Sequence, residues 1–373
     1  MRTLKESRPV VGSLQPARHI RNSKSELRNP RSGFTLVEMM VVVVIIAILA
    51  GLILPAINSA RRRANEARVV VEIKNLENAI AAFKAKYGAE PPSRFSLYLT
   101  RAGWNGDPAN TAIVRQIWPQ FDFSMGDPTG GTAGAGTAFP AFWLQPPPNG
   151  PNIGNANVIN MNSGECLLFF LGGIVPQPNQ NNASITVPEG FAKNPAYPFS
   201  PKSASPNREG PFFEFTDILR IKDIDGNGIN EWYDPLPNQS KPYLYFSSYE
   251  SRGYNLLELP NNGTSYQIAG NESLHDVYRV TSTYPLFPPQ TPTSTTSNTS
   301  AAINGVANSN PQKPQTFQII SPGYDGEYGS GGVYNPQLPN SGLVGYDAAG
   351  NQLNPDRRQY DNLTNFSGGR LNP

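Results

Sequence analysis

Residues 31–57 read RSGFTLVEMMVVVVIIAILAGLILPAI, and the reading of this stretch decides the fold. The 24 residues from Phe34 to Ile57 carry one charge, Glu38. As a helix rising about 1.5 Å per residue, such a run spans roughly 36 Å, enough to cross a bilayer. A carboxylate near the bilayer centre costs roughly 2.5–3.5 kcal/mol on insertion scales, so a lone acid there needs a partner. The best partner is an amine, and cleavage after Gly33 would create one at Phe34, one helical turn from Glu38. Pro55 removes a backbone donor and predicts a bend near the end of the run.

Residues 1–33 carry eight Lys/Arg against Glu6 and Glu26, a balance of +6; subtracting that from the +2 of the whole chain leaves −4 for the remainder. A basic leader ahead of an apolar segment keeps the N-terminus cytoplasmic, which predicts a head on the far side of the inner membrane. Arg61, Arg62 and Arg63 oppose this with less charge and are expected to solvate the helix just beyond the membrane. The rival readings are a secretory signal peptide and an uncleaved anchor. A signal peptide has an apolar core of about 7–15 residues ending at a small-residue site, and Asn58-Ser59-Ala60 is a poor one.

Beyond the run, Val69, Ile73, Leu76, Ile80, Phe83 and Tyr87 recur at spacings of four and three, an apolar stripe on one helical face. Glu72, Lys74, Asn75, Glu77, Asn78 and Lys84 lie between them and are expected to face solvent. Gly88 caps the helix, and Pro91-Pro92 prevents continuation. The expected organisation is a basic leader (1–33), a transmembrane and assembly helix (34–57), an amphipathic continuation packed on a head (58–88), and a loop-rich head (89–373). A coiled coil is the alternative for the stripe. With 34 Gly and 37 Pro, a head with a small core is expected.

Within that head, 89–162 reads as an irregular insertion, Ser163–Gly173 as a short apolar helix, and 288–314 as a disordered loop. Strands are expected at Pro242–Ser248, Asp276–Val280 and Thr316–Ser321. The tail from Tyr334 onward reads as polar and Gly/Asn-rich. The class is α+β, a long N-terminal helix on a small antiparallel sheet with long loop insertions.

The single cysteine, Cys166, allows no intrachain disulfide and sits in an apolar segment, where a buried small hydrophobe is expected. No catalytic arrangement is supported: past the leader there is one histidine, His275, read as a surface residue. No basic patch argues for nucleic acid.

Asp223-Ile-Asp-Gly-Asn-Gly-Ile-Asn-Glu-Trp-Tyr-Asp234 fits a twelve-residue calcium loop with Asp in the last position. Asp223, Asp225 and Asn227 offer alternate side-chain oxygens, Gly228 permits the sharp turn, Ile229 offers its carbonyl, Glu231 acts directly or through water, and Asp234 closes the site. Pro235 forbids an ordinary exiting helix. The alternative is an Asx/Gly turn between two strands with no metal.

Gly33-Phe34-Thr35-Leu36-Val37-Glu38, with the basic leader and apolar run, resembles the prepilin processing site of type IV pilins and type II secretion pseudopilins. The likeness runs from Arg31 to about Gly88, and it is closest to the major pseudopilins of the G type, with an enlarged head. It implies cleavage after Gly33 by a membrane prepilin peptidase, methylation of Phe34, and assembly guided by Glu38, with Pro55 where many relatives have a helix-distorting proline. In a fibre, the Phe34 amine of one subunit would meet Glu38 of its neighbour; at about 4 Å and an effective dielectric near 20, that attraction is about 4 kcal/mol before desolvation. Partners implied are the peptidase/N-methyltransferase, further copies or related pseudopilins, and an inner-membrane assembly platform. Tyr233–Tyr245 and Ser321-Pro-Gly-Tyr-Asp-Gly326 resemble two further pseudopilin patches, the second a calcium loop, which makes Asp325 a second candidate ligand; the alternative is an acid that merely shapes a turn. In that family further acids follow soon after, and none lies here between Glu327 and Asp347. The function implied is a structural subunit of a fibre that drives protein export. The alternatives are a minor type IV pilin serving adhesion, motility or DNA uptake, and an anchored calcium-binding ectodomain that never polymerises.

Overall fold

A computed structural model describes residues 33–124, 158–176, 187–223, 229–248, 254, 276–281, 310–329, 331–343, 345–346, 352–353 and 357–372. The chain divides into two units, residues 1–58 and 59–373. In the first, every described residue is exposed and all but the first three lie on helix α1, Leu36–Tyr87. This helix passes through Pro55 without interruption.

The second unit begins with the rest of α1. Its buried residues are Val69, Ile73, Leu76, Ala79, Ile80 and Phe83, the expected stripe with Ala79 added; Tyr87 is half-buried. Spacings of three and four keep these side chains on one face, and that face is covered by the head. The Phe83 ring stands edge-on to Phe170, with centroids 5.9 Å apart, and to Phe212 at 5.3 Å. Burying an aliphatic or aromatic chain of this size is worth about 1.5–3 kcal/mol.

Residues 89–162 are not wholly irregular. They form strand β1, Phe95–Tyr98, helix α2, Arg101–Gly106, helix α3, Pro108–Ile117, and strand β2, Val158–Met161. Strands β1 and β2 pair antiparallel, Phe95 opposite Met161. Thr100 and Asp107 cap the two short helices through their side chains. The short apolar helix is α4, Ser163–Gly172; Asn162 and Glu165 form a reciprocal capping box at its start, and residues 164–172 are all buried, Cys166 among them.

The expected strands appear as β7, Leu244–Ser247, β8, Asp276–Thr281, and β10, Phe317–Ser321, after the short strands β3, Phe191–Ala192, β4, Arg208–Glu209, β5, Ile221–Lys222, and β6, Glu231–Trp232. Strand β10 is central in a three-stranded antiparallel sheet, between β7 and β14, Leu363–Thr364. Both faces of this sheet are buried. Tyr243, Tyr245, Phe317, Ile319 and Leu363 join the cluster around α1 and α4. Leu244, Phe246 and Ile320 join a second cluster with Tyr278, Tyr328, Tyr334, Leu343 and Leu371.

Strand β8 lies in a separate sheet, between β9, Asn310–Pro311, and β11, Gly331–Val333, and its pairing with β11 is parallel. The buried amide of Gln318 joins the two sheets, accepting from Tyr278 N and donating to Tyr278 O, each at 2.8 Å. The loop read as disordered at 288–314 thus contributes a strand at its end; residues 282–309 lie outside the described residues, as does His275. The tail read as polar supplies β14 and covers the second face of the sheet.

Two expected solvent residues on α1 are instead anchors. Glu72 Oε1 accepts from Trp232 Nε1 at 2.7 Å and pairs with Arg220. Glu77 accepts from Asn365 Nδ2 at 3.2 Å, and Lys313 lies 3.8 Å away. Glu66 pairs with Arg370. The apolar stripe is therefore flanked by a polar seam.

Candidate functional site

The N-terminal site begins at Gly33. A Cβ built there meets nothing within 4 Å, and the residue does not need a left-handed backbone. The chain's own fold places no demand for glycine at this position. Phe34 follows and is 77 % exposed. Thr35 precedes the helix and forms a reciprocal box with Glu38: Thr35 N and Thr35 Oγ1 each donate to Glu38 Oε2 at 2.8 Å, and Glu38 N donates to Thr35 Oγ1 at 3.2 Å. In the single chain the acid of the apolar run is thus met by the helix's own first turn, and Oε1 takes part in none of these bonds. The T-L-V-E spelling carries this signal, because Ser/Thr-x-x-Glu is the capping box; an acid satisfied within its own chain is the alternative to pairing with a neighbour's amine, and Thr35 is the residue that supplies it here. Met39–Ile57 are exposed at every position and, Gly51 apart, carry apolar side chains.

The residues expected to bind calcium separate into two groups. Strands β5 and β6 pair antiparallel, Lys222 opposite Glu231 and Ile221 opposite Trp232. Asp223 therefore sits at the loop end of the hairpin, beyond Lys222, whereas Asp234 lies two residues past Trp232 toward its base. Asp234 is moreover buried and accepts from Leu236 N (2.9 Å), Gln239 Nε2 (3.1 Å) and Ser321 Oγ (2.5 Å). Asp234, expected as the closing ligand, is in this structure an interior acid that ties the β5–β6 hairpin to β10. Burial pushes its carboxyl up to about 6 against the pull of those donors. Glu231 is also buried, 3.4 Å from Asn162 Nδ2. Asp223 is exposed and Ile229 buried; Asp225, Asn227 and Gly228 lie outside the described residues.

Asp325 has a neighbour that local reading missed. The tail brings Asp361 to the loop, where its Oδ2 accepts from Tyr324 N (2.7 Å) and Asp325 N (3.2 Å). Gly323 has φ +72°, and a Cβ there would lie 2.5 Å from the Asp361 carbonyl oxygen, so the approach of the tail requires glycine. Asp325 Oδ1 accepts from Glu327 N at 2.8 Å. Partial desolvation of its carboxyl, with Asp361 and Glu327 adding like charge, pushes Asp325 up to about 7. Among the described residues the buried Oδ1 of Asp361 has no hydrogen-bond partner. Among the described residues no three acidic, Cys or His side chains form a metal cluster, so an ion here would draw on two carboxylates and main-chain carbonyls. A hard cation suits that donor set.

Comparison with known proteins agrees with the N-terminal geometry. The model of the prokaryotic N-terminal methylation motif matches residues 28–54. The chain is 39% identical over 67 residues to the type II secretion system core protein G of Aeromonas hydrophila, covering 18% of this chain and 47% of that protein. It is 44% identical over 52 residues to the core protein G of Escherichia coli, 14% of this chain and 36% of that one. The type IV wide pilus major component PilA4 of Thermus thermophilus is 36% identical over 89 residues, 23% and 64% of the two chains. The chain spans about half the length of the curated relatives it matches first. No solved structure matches it. The one described helix long and apolar enough to cross a membrane is α1, consistent with a single-pass anchored protein. The chain thus carries a prokaryotic N-terminal methylation motif, and its N-terminal region is similar to the core protein G of type II secretion systems.

Proposed function

We propose that this chain is a structural subunit of a type II secretion pseudopilus, cleaved between Gly33 and Phe34 by a prepilin peptidase, methylated, and assembled with other pseudopilins on an inner-membrane platform. The observation that carries the reading is the state of the first 25 described residues. Among the described residues nothing demands glycine at position 33, and the apolar residues behind it are exposed. Both make sense for a segment read first by a protease and then by neighbouring subunits. Cleavage would liberate an ammonium at Phe34, next to Thr35 and one turn from Glu38, whose Oε1 stands outside the intrachain box. The head would face the periplasm, and the protein would have no catalytic role. Mass spectrometry of the membrane-extracted protein tests this: a mature N-terminus at methylated Phe34 is expected, and an intact residue 1–33 segment refutes it.

The likeness to a wide-pilus component favours a second reading, a type IV pilin. Surface filaments seen by electron microscopy would support that reading, and an export defect without surface filaments supports secretion.

We further propose calcium as a structural ion. Asp325 and Asp361 fit it through the unpartnered Asp361 Oδ1, and the connection between β5 and β6 offers Asp223, Asp225, Asn227 and the Ile229 carbonyl without Asp234. Bound there, calcium would neutralise like charges that otherwise repel and would pin the tail to the loop at Gly323.

A further inference from the structure

Where α1 leaves the apolar run it carries a cluster of arginines. Residues 58–68 hold Arg61, Arg62, Arg63 and Arg68 against Glu66 alone, and Glu66 is paired with Arg370. All four arginines are exposed. At 100° per residue, Arg62 falls on the same side as Val69, Ile73 and Ile80, and there its guanidinium lies 4.9 Å from the centre of the Tyr324 ring, whose hydroxyl donates to Arg62 O at 3.1 Å. Arg61 and Arg63 point away from that face, 200° apart, and neither has a hydrogen-bond or ion-pair partner among the described residues. They lie four and six residues past Ile57, about 6 and 9 Å along the helix. Side chains on a helix tilt toward its N-terminus, which here is toward the apolar run. Two long cations, with no acid to meet, therefore lean back toward the level where a membrane-spanning segment would end. Arg68 lies about 16 Å past Ile57 along the axis, farther than the screening length of about 8–10 Å at physiological salt.

We propose that Arg61 and Arg63 dock the headgroups of anionic phospholipids at the membrane surface where α1 emerges. The inference rests on the membrane-spanning reading of residues 34–57. Charge complementarity selects the occupant: guanidinium groups take phosphate oxygens bidentately, and basic residues near an anionic surface are attracted within a screening length. Arg62 serves the head through Tyr324, so the triple arginine divides between two tasks.

The test uses the full chain reconstituted in phosphatidylcholine vesicles, with spin-labelled phosphatidylglycerol and phosphatidylcholine as probes of lipid selectivity. The native chain is expected to prefer phosphatidylglycerol. Arg61→Gln/Arg63→Gln should lower that preference by up to about fivefold per arginine, Arg68→Gln should change it little, and Arg61→Lys/Arg63→Lys should keep most of it. Raising salt should weaken the native preference. Because the leader contributes equally to every variant, the ratio between variants reports these positions. Vesicles that float without the protein overturn the membrane reading and the proposal together. Protein that floats with an unchanged preference in the Arg61→Gln/Arg63→Gln variant overturns the proposal alone. The same holds if that variant loses self-association in pure phosphatidylcholine while keeping its preference, since the arginines then serve a second copy of the chain.

Discussion

Replacing Glu72 by alanine should unfasten the head from its helix. Glu72 Oε1 accepts from Trp232 Nε1 at 2.7 Å and pairs with Arg220, and the side chains of the pair are only 14% and 16% exposed. Arg220 would stay where it is, because its Nε donates to Tyr233 O at 2.8 Å and its guanidinium lies 4.0 Å over the Trp232 ring. The substitution therefore leaves a mostly buried cation and an indole N–H without their acceptor. Breaking a fully buried pair costs about 3–5 kcal/mol, and residual water access reduces this, so about 2–3 kcal/mol is expected. That is comparable to a hydrogen bond to a charged group, about 1.5–3 kcal/mol. For a large domain, at about 2–4 °C per kcal/mol, the melting temperature should fall by about 5 °C or somewhat more. Glu72→Gln keeps an acceptor for Trp232 and should cost about half as much. The assay is a thermal melt of the full chain in detergent, followed by tryptophan fluorescence, with Arg220→Ala and the double variant completing a cycle. If Glu72→Ala melts within 1 °C of the parent, or if the two single effects simply add, the seam is an ordinary solvated surface and the reasoning fails.

Three further outcomes are expected. Glu38→Gln should be processed normally but assemble poorly, since the neutral amide cannot pair with an ammonium, whereas a bulky residue at Gly33 should block cleavage; gel mobility and fibre yield report the two separately, and normal fibres from Glu38→Gln would refute the pairing. Asp234 titrates near 6 when folded against about 3.8 unfolded, so the folded state holds its proton more tightly; its contribution is fully present below about pH 4 and is lost as pH rises through about 6, by about 3 kcal/mol. Urea midpoints of the parent and Asp234→Asn, compared across pH 4–7, should diverge in that sense, and parallel profiles would show that the acid is not so placed. Calcium at saturating concentration should raise the melting temperature of the parent, and Asp361→Asn should abolish the part of the rise due to the Asp325 loop; a rise unchanged in that variant would leave only the β5–β6 connection as the site.

Some of this was legible locally. The stripe from Val69 to Phe83, the apolar helix after Asn162 and three strands announce themselves because helix and strand periodicity is written over a few consecutive residues. The capping box at Thr35 was legible too, in four letters. Other features were not. Glu72 and Glu77 read as solvent-facing because a charge between apolar positions usually is, and nothing nearby in sequence names Arg220, Trp232 or Asn365. Asp234 fitted a twelve-residue ligand pattern by spacing alone. The register of β5 with β6 then put it at the base of the hairpin, where Ser321 meets it. Asp361, whose carboxylate meets Asp325 N, lies 36 residues further along the chain.

The amino-acid sequence alone determined that residues 34–57 form an apolar run with one acid behind an N-terminal methylation motif, because hydrophobic length, charge and a short motif are properties of contiguous residues. Tertiary structure alone decided which polar residues hold the head to α1. Those pairings join positions up to about 300 residues apart, and a pairing at that range has no period for a local pattern to reveal.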